Sequence, residues 1–180
     1  PALEAEGTYS LTATAADAAG NISAHSEPMT VTIDTALPAI HASRSPEPNA
    51  NGWNNTDVIA AYSAEDSVGL SSPATGEYKF IQEGENQSHT FTVTDLAGNS
   101  ASITVENINI DKTAPVISDI TGNTVVNAGE SAVIRAKITD SLAIDSAKIA
   151  INGIEHDLTG SGPDYIYTFT APPGPASEAN

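Results

Sequence analysis

Two short motifs each return once along this chain, at almost the same spacing. Asp17-Ala18-Ala19-Gly20-Asn21 recurs as Asp95-Leu96-Ala97-Gly98-Asn99, an offset of 95 − 17 = 78. Thr32-Ile33-Asp34-Thr35-Ala36-Leu37-Pro38 recurs as Asn109-Ile110-Asp111-Lys112-Thr113-Ala114-Pro115, an offset of 111 − 34 = 77. Two different motifs sharing one spacing mark a repeated unit. The period is longer than that of most solenoids and fits a string of small autonomous domains. Each motif also has a local meaning. Asp-x-x-Gly-Asn is hairpin chemistry, because Gly and Asn tolerate positive φ and the Asp side chain bonds the backbone two residues on. The Asp-to-Pro segment ends a strand, since Pro cannot donate into a ladder and forces the preceding residue to be extended. A short, stiff linker between domains follows.

The segments between these motifs read as strands. Gly7 to Ala15 alternates with period two and puts Tyr9, Leu11, Ala13 and Ala15 on one face. Similar runs, rich in Thr, Val, Ile and Tyr, occur at 29–33, 58–64, 90–94, 102–105, 132–138, 147–151 and 165–169. No segment carries a sustained helical stripe. Many short strands with frequent turns predict an all-β sandwich or barrel. With 39% hydrophobic and 5% aromatic residues, its core is lean and aliphatic.

Charge narrows the partners. Six Lys and Arg against 23 Asp and Glu give a net charge of −17. Such a surface repels nucleic acid and anionic membranes and attracts cations. No apolar run reaches membrane-spanning length, so no direct membrane insertion is expected. The chain has no cysteine, which excludes disulfides and thiolate metal sites. The first residues have no basic region or signal-peptide core, and a signal could precede them in a longer chain.

These residues resemble the bacterial Ig-like repeats of large extracellular adhesins and related archaeal and bacterial surface proteins. The resemblance rests on Gly7-Thr8-Tyr9-x-Leu11 with Asp17-x-x-Gly20-Asn21, on Val31-Thr32-Ile33-Asp34-Thr35, and on Gly52-Trp53-Asn54-Asn55. The stretches 125–136 and 164–171 resemble a sister subtype. The fold this implies is a series of tandem immunoglobulin-like β-sandwich domains, located at the cell surface or outside the cell. Residues 1–35 would be the last two strands of one domain, with Tyr9 where the family's tyrosine corner begins strand F. Residues 36–112 would be a near-complete domain, and 113–180 one lacking its last strands. Two explanations of these ends stay open. The chain is an excerpt of a longer array, or residues 1–34 of one copy complete residues 116–180 of the next. An open sandwich recruits strands through its apolar groove and unpaired edge.

The function this predicts is structural or adhesive: a cell-surface stalk or filament subunit, not an enzyme, whose partners are other copies of itself or neighbouring repeats, with surface glycans or proteins as further candidates. Calcium is the expected cofactor, because hard cations want six to eight oxygens from carboxylates and carbonyls. If the loops gather at one pole of the middle domain, they bring together Asp34, Glu65, Asp66, Asp95 and Asn99. The equivalents in the last domain are Asp111, Asp140 and Asp145. Asp17 and Asn21 join only if their hairpin is donated or the array continues. The alternative for all of these is that acids cap turns and solvate the surface.

Other residues carry weaker chemistry. Trp53 could stack on a sugar, which would suit a carbohydrate-binding accessory region of a secreted enzyme, or it could fold over a core edge. Asn21, Asn54 and Asn86 sit in Asn-x-Ser/Thr sequons open to glycosylation. His25, His41, His89 and His156 show no metal-ligand spacing and are expected mostly to face solvent. The acid pairs Glu83 with Glu85 and Asp164 with Glu178 have no cleft-forming loops around them, and no nucleophile motif is present.

Overall fold

The computed structural model describes residues 5–174. Among them lie thirteen strands and no helix, hence none long and apolar enough to cross a membrane. Every paired strand in its sheets is antiparallel to its neighbour. The chain divides into two compact units, Pro1–Lys112 and Thr113–Asn180. Residues expected as separate stretches, 1–35 and 36–112, fall in the same unit.

The first unit begins with a hairpin of β1 (Gly7–Leu11) and β2 (Met29–Ile33). Period-two alternation predicts a first strand reaching Ala15, whereas its ladder stops at Leu11. Beyond that point serines pair in two ways: the amides of Ala13 and Ala15 donate to Ser26 Oγ and Ser23 Oγ at 3.0 and 2.9 Å, and their carbonyls accept the amides of Ser26 and Ser23 at 2.9 and 2.8 Å. A three-stranded sheet follows, β3 (Ala39–Ser45), β4 (Val58–Glu65) and β5 (Thr75–Phe80), with β4 central. Then comes the long hairpin of β6 (Gly84–Thr94) and β7 (Ser100–Ile110).

The long hairpin shows why this sequence makes this layer. Its register pairs Phe91 with Ile103 and Val93 with Ala101, and between them Thr90 with Thr104, Thr92 with Ser102 and Thr94 with Ser100. The hydroxyl pairs bond across the strands at 2.8–2.9 Å. One face is therefore a hydroxyl ladder for solvent and the other is apolar. The apolar face meets the three-stranded sheet, so Val58, Ala60 and Phe80 share a buried core with Phe91, Ile108 and Ile110. Ile40, Tyr62, Ile103 and Val105 close its margin. An aromatic row runs along that margin, with Tyr62 on Phe91 at 4.8 Å and His89 stacked on Tyr78 at 3.8 Å. Asn86 and Asn107 take positive φ where the β6–β7 register slips.

The second unit has a four-stranded sheet in the order β12 (Thr159–Ser161), β13 (Asp164–Thr170), β9 (Ser131–Thr139) and β8 (Val116–Gly122). A separate hairpin joins β10 (Lys148–Ile151) to β11 (Ile154–Asp157). Its core is smaller: Ala136, Ile138 and Tyr165, lined by Ile144, Ala147 and Leu158.

Candidate cation site

Three aspartates from three separate elements meet at one end of the first unit. Asp34 follows β2, Asp66 opens the turn after β4, and Asp95 opens the turn of the β6–β7 hairpin. Each offers a carboxylate oxygen, and the three oxygens lie within 4.8 Å of one another. Asp34 is 9% exposed and Asp95 is 1% exposed.

Local backbone chemistry places each acid. Asp95 Oδ1 accepts the amides of Ala97, Gly98 and Asn99 at 2.8, 2.7 and 2.9 Å. Its Oδ2 accepts Asn99 Nδ2 at 2.9 Å. The turn closes because Gly98 takes φ of 99°, a conformation that favours glycine. Asp66 Oδ1 accepts the amides of Val68 and Gly69 at 2.8 and 3.1 Å. This turn is fastened to the hairpin by Leu96 N donating to the Gly69 carbonyl at 2.9 Å and Ser71 N to that of Thr94 at 2.9 Å. Asp34 Oδ1 accepts the Ala36 amide at 3.0 Å, and the Asp34 carbonyl accepts Asn99 Nδ2 at 3.2 Å. Asn99 therefore clamps two of the acids through its amide nitrogen.

The electrostatics are unbalanced. Burial works to raise the Asp95 carboxyl, but the hydrogen bonds from Asn99, Gly98 and Ala97 outweigh it and hold the group below its ordinary value. Asp95 is thus a committed anion. Asp34 Oδ2, beside it in the cluster, is buried and has no hydrogen-bond partner. A buried carboxylate oxygen without a donor, set among other carboxylates, is costly unless a cation satisfies it.

The remaining expected ligands are placed differently. Glu65 is exposed at the end of β4, paired across to Ala39, and is not part of the carboxylate group. Asp111 belongs to the first unit, where its amide donates to the Asn54 carbonyl at 3.0 Å. Asp140 and Asp145 belong to the second. Asp145 is exposed. Asp140 Oδ1 accepts the Leu142 amide at 2.8 Å, and its Oδ2 is buried without a partner. Asp17 and Asn21 build a turn that matches the Asp95 turn nearly bond for bond. Asp17 Oδ1 accepts the amides of Ala19 and Asn21 at 2.9 Å each, and Oδ2 accepts Asn21 Nδ2 at 2.7 Å. Both of these residues are exposed.

Trp53 is half-buried, and its amide donates to Asn49 Oδ1 at 3.0 Å. Of the sequon asparagines, Asn21 and Asn86 are exposed. Asn54 is only 4% exposed, and its Nδ2 donates to the carbonyls of Pro46 and Glu47. A glycan on that nitrogen would require the loop to open. His89 and His156 do not simply face solvent; both are half-buried against tyrosines, His156 on Tyr167 at 5.0 Å. Glu83 Oε1 accepts the Lys112 amide at 2.8 Å, and Glu178 lies outside the described residues.

Compared with family models, curated proteins and solved structures, the chain finds no match in any of the three.

Proposed function

We infer that this chain is a structural or adhesive segment of an extracellular surface protein, a stalk or filament subunit of Ig-like sandwiches, in which Ca²⁺ stiffens the corner formed by Asp34, Asp66 and Asp95. The observation that carries this reading is the buried, partnerless Asp34 Oδ2 beside two further carboxylates. These are hard oxygen donors, the kind that calcium prefers. Asp34 lies in the connection between the β1–β2 hairpin and β3. An ion tying that connection to the turns at 66 and 95 restrains the joint, which is what a rod under tension needs. Two layers sharing one apolar core support the sandwich part of the reading. So does Tyr9, whose hydroxyl donates to the Ala5 carbonyl at 2.8 Å, four residues upstream, as in a tyrosine corner. The net charge of −17 suits a soluble surface protein.

Calorimetric titration with calcium tests this. Binding is expected for the native chain and lost in Asp34→Asn. By mass action, calcium at a hundredfold over its dissociation constant adds about 2.7 kcal/mol of stability, seen as a rise in Tm. Absence of both heat and Tm shift at millimolar calcium overturns the reading.

A further inference from the structure

The chain builds the same turn twice and sets only one of the two beside other acids. In the first, Asp17 Oδ1 accepts the amides of Ala19 and Asn21, Oδ2 accepts Asn21 Nδ2, and the Asp17 amide donates to the Asn21 carbonyl at 2.9 Å. In the second, Asp95 meets Ala97 and Asn99 in the same way, and its amide donates to the Asn99 carbonyl at 3.0 Å. An asparagine at this position therefore closes the turn whether or not acids lie near it. What the second turn adds is one bond. Asn99 Nδ2 also donates to the carbonyl of Asp34, 65 residues away along the chain. Among the described residues, Asn21 Nδ2 has no such second acceptor.

That bond holds the one acid that nothing else fastens. The turn of Asp66 is tied to the turn of Asp95 through the backbone: Leu96 N donates to the Gly69 carbonyl, and Ser71 N and Ser72 N donate to that of Thr94, at 2.9–3.1 Å. The Thr94 amide returns a bond to Ser72 Oγ at 3.0 Å. Asp34 has no comparable anchor. Its Oδ1 is engaged by the Ala36 amide within its own connection. Among the described residues, the hydrogen bond joining Asp34 to either turn is the one from Asn99. Yet Asp34 is only 9% exposed and carries the buried, partnerless Oδ2. The side of Asn99 that meets the acids is its nitrogen, because a carboxylate and a carbonyl can only accept. A nitrogen whose hydrogens point at oxygens offers no lone pair to a cation.

We propose that Asn99 is a positioning residue of the cation site: it delivers Asp34 to Asp66 and Asp95 by holding the Asp34 backbone, and it does not ligate the ion itself. This deepens the calcium reading above and rests on it. Groups that hydrogen-bond behind a metal ligand fix where the ligand points, and removing one weakens metal affinity by about 10- to 100-fold.

Calcium calorimetry on the native chain and on Asn99→Ala tests the affinity, with circular dichroism and Tm in chelator as controls for folding. Asn99→Ala is expected to weaken calcium by about 10- to 100-fold. Asn21→Ala removes the same bond within its turn but none to Asp34, and is expected to leave the affinity unchanged. Europium separates positioning from ligation, since its luminescence lifetimes in H₂O and D₂O count the waters on the ion. At saturation the ion draws Asp34 in by itself, so losing a positioning residue leaves that count unchanged, whereas a lost ligand is replaced by water. If alanine unfolds the turn, Asn99→Ser carries the same test, because a hydroxyl has one donor hydrogen for Asp95 and none left for Asp34. Unchanged calcium affinity in Asn99→Ala, equal weakening in Asn21→Ala, or an added water on europium overturns the positioning role and leaves the calcium reading standing. A native chain that gives no calcium heat overturns that reading, and this role with it.

Discussion

At the scale of the residue, Asp95 does most to shape the first unit. One side chain accepts three backbone amides and a side-chain amide, and so replaces the ladder where the chain reverses. Its folded-state carboxyl lies below the ordinary value. A lowered folded value means that its stabilisation is fully present above the unfolded value, near pH 4, and is lost as pH falls through the folded one. Acid unfolding of the first unit is therefore expected to steepen below about pH 4 and to flatten in Asp95→Asn, followed by fluorescence of Trp53. Gly98 at φ of 99° is a second fixed point, since any side chain there is strained. Gly76 is constrained by packing: a Cβ there would lie 2.6 Å from the Tyr62 ring, which rests on Phe91 and donates its hydroxyl to the Pro73 carbonyl. Gly76→Ala is expected to cost about 1–3 kcal/mol through overpacking, measured by denaturant unfolding.

At the scale of the element, the two hairpins make a natural comparison. Both have a hydroxyl face, an apolar face and an Asp-x-x-Gly-Asn turn, but only β6–β7 is covered by a sheet within its own unit. A truncation inside the covered hairpin should therefore be costly. Ile108, fully buried, is expected to lose about 2–5 kcal/mol on change to alanine. Met29→Ala on the uncovered hairpin is expected to leave monomer stability unchanged in the same denaturant series. The strand boundaries teach a related lesson. The runs at 58–64 and 132–138 are apolar enough to be read directly, and β4 and β9 form there. Strands β3, β5 and β8 escape such a reading. Residues 39–45 include His41 and Arg44, 75–80 include Gly76, Glu77 and Lys79, and β8 is exposed throughout. These strands are defined by backbone pairing with a central neighbour, which local hydrophobicity does not report.

At the scale of the whole molecule, the two compact units have separate cores of unequal size. Calorimetry is expected to resolve two transitions, with Ile108→Ala lowering only one of them. Added salt should raise both, because screening relieves the self-repulsion of a chain at −17. The sequence by itself determined the β class, the two turns that match 78 residues apart, and which acids flank them. Alternation, turn chemistry and repetition are local properties, written in the order of residues. Only the tertiary structure decided that Asp34, Asp66 and Asp95 converge while Glu65 stays exposed outside their group, that Asn99 meets its neighbours with nitrogen, and that Asn54 is buried. Those outcomes depend on how separate strands stack and which side of a turn faces inward, and distances through space between residues far apart along the chain are fixed by packing.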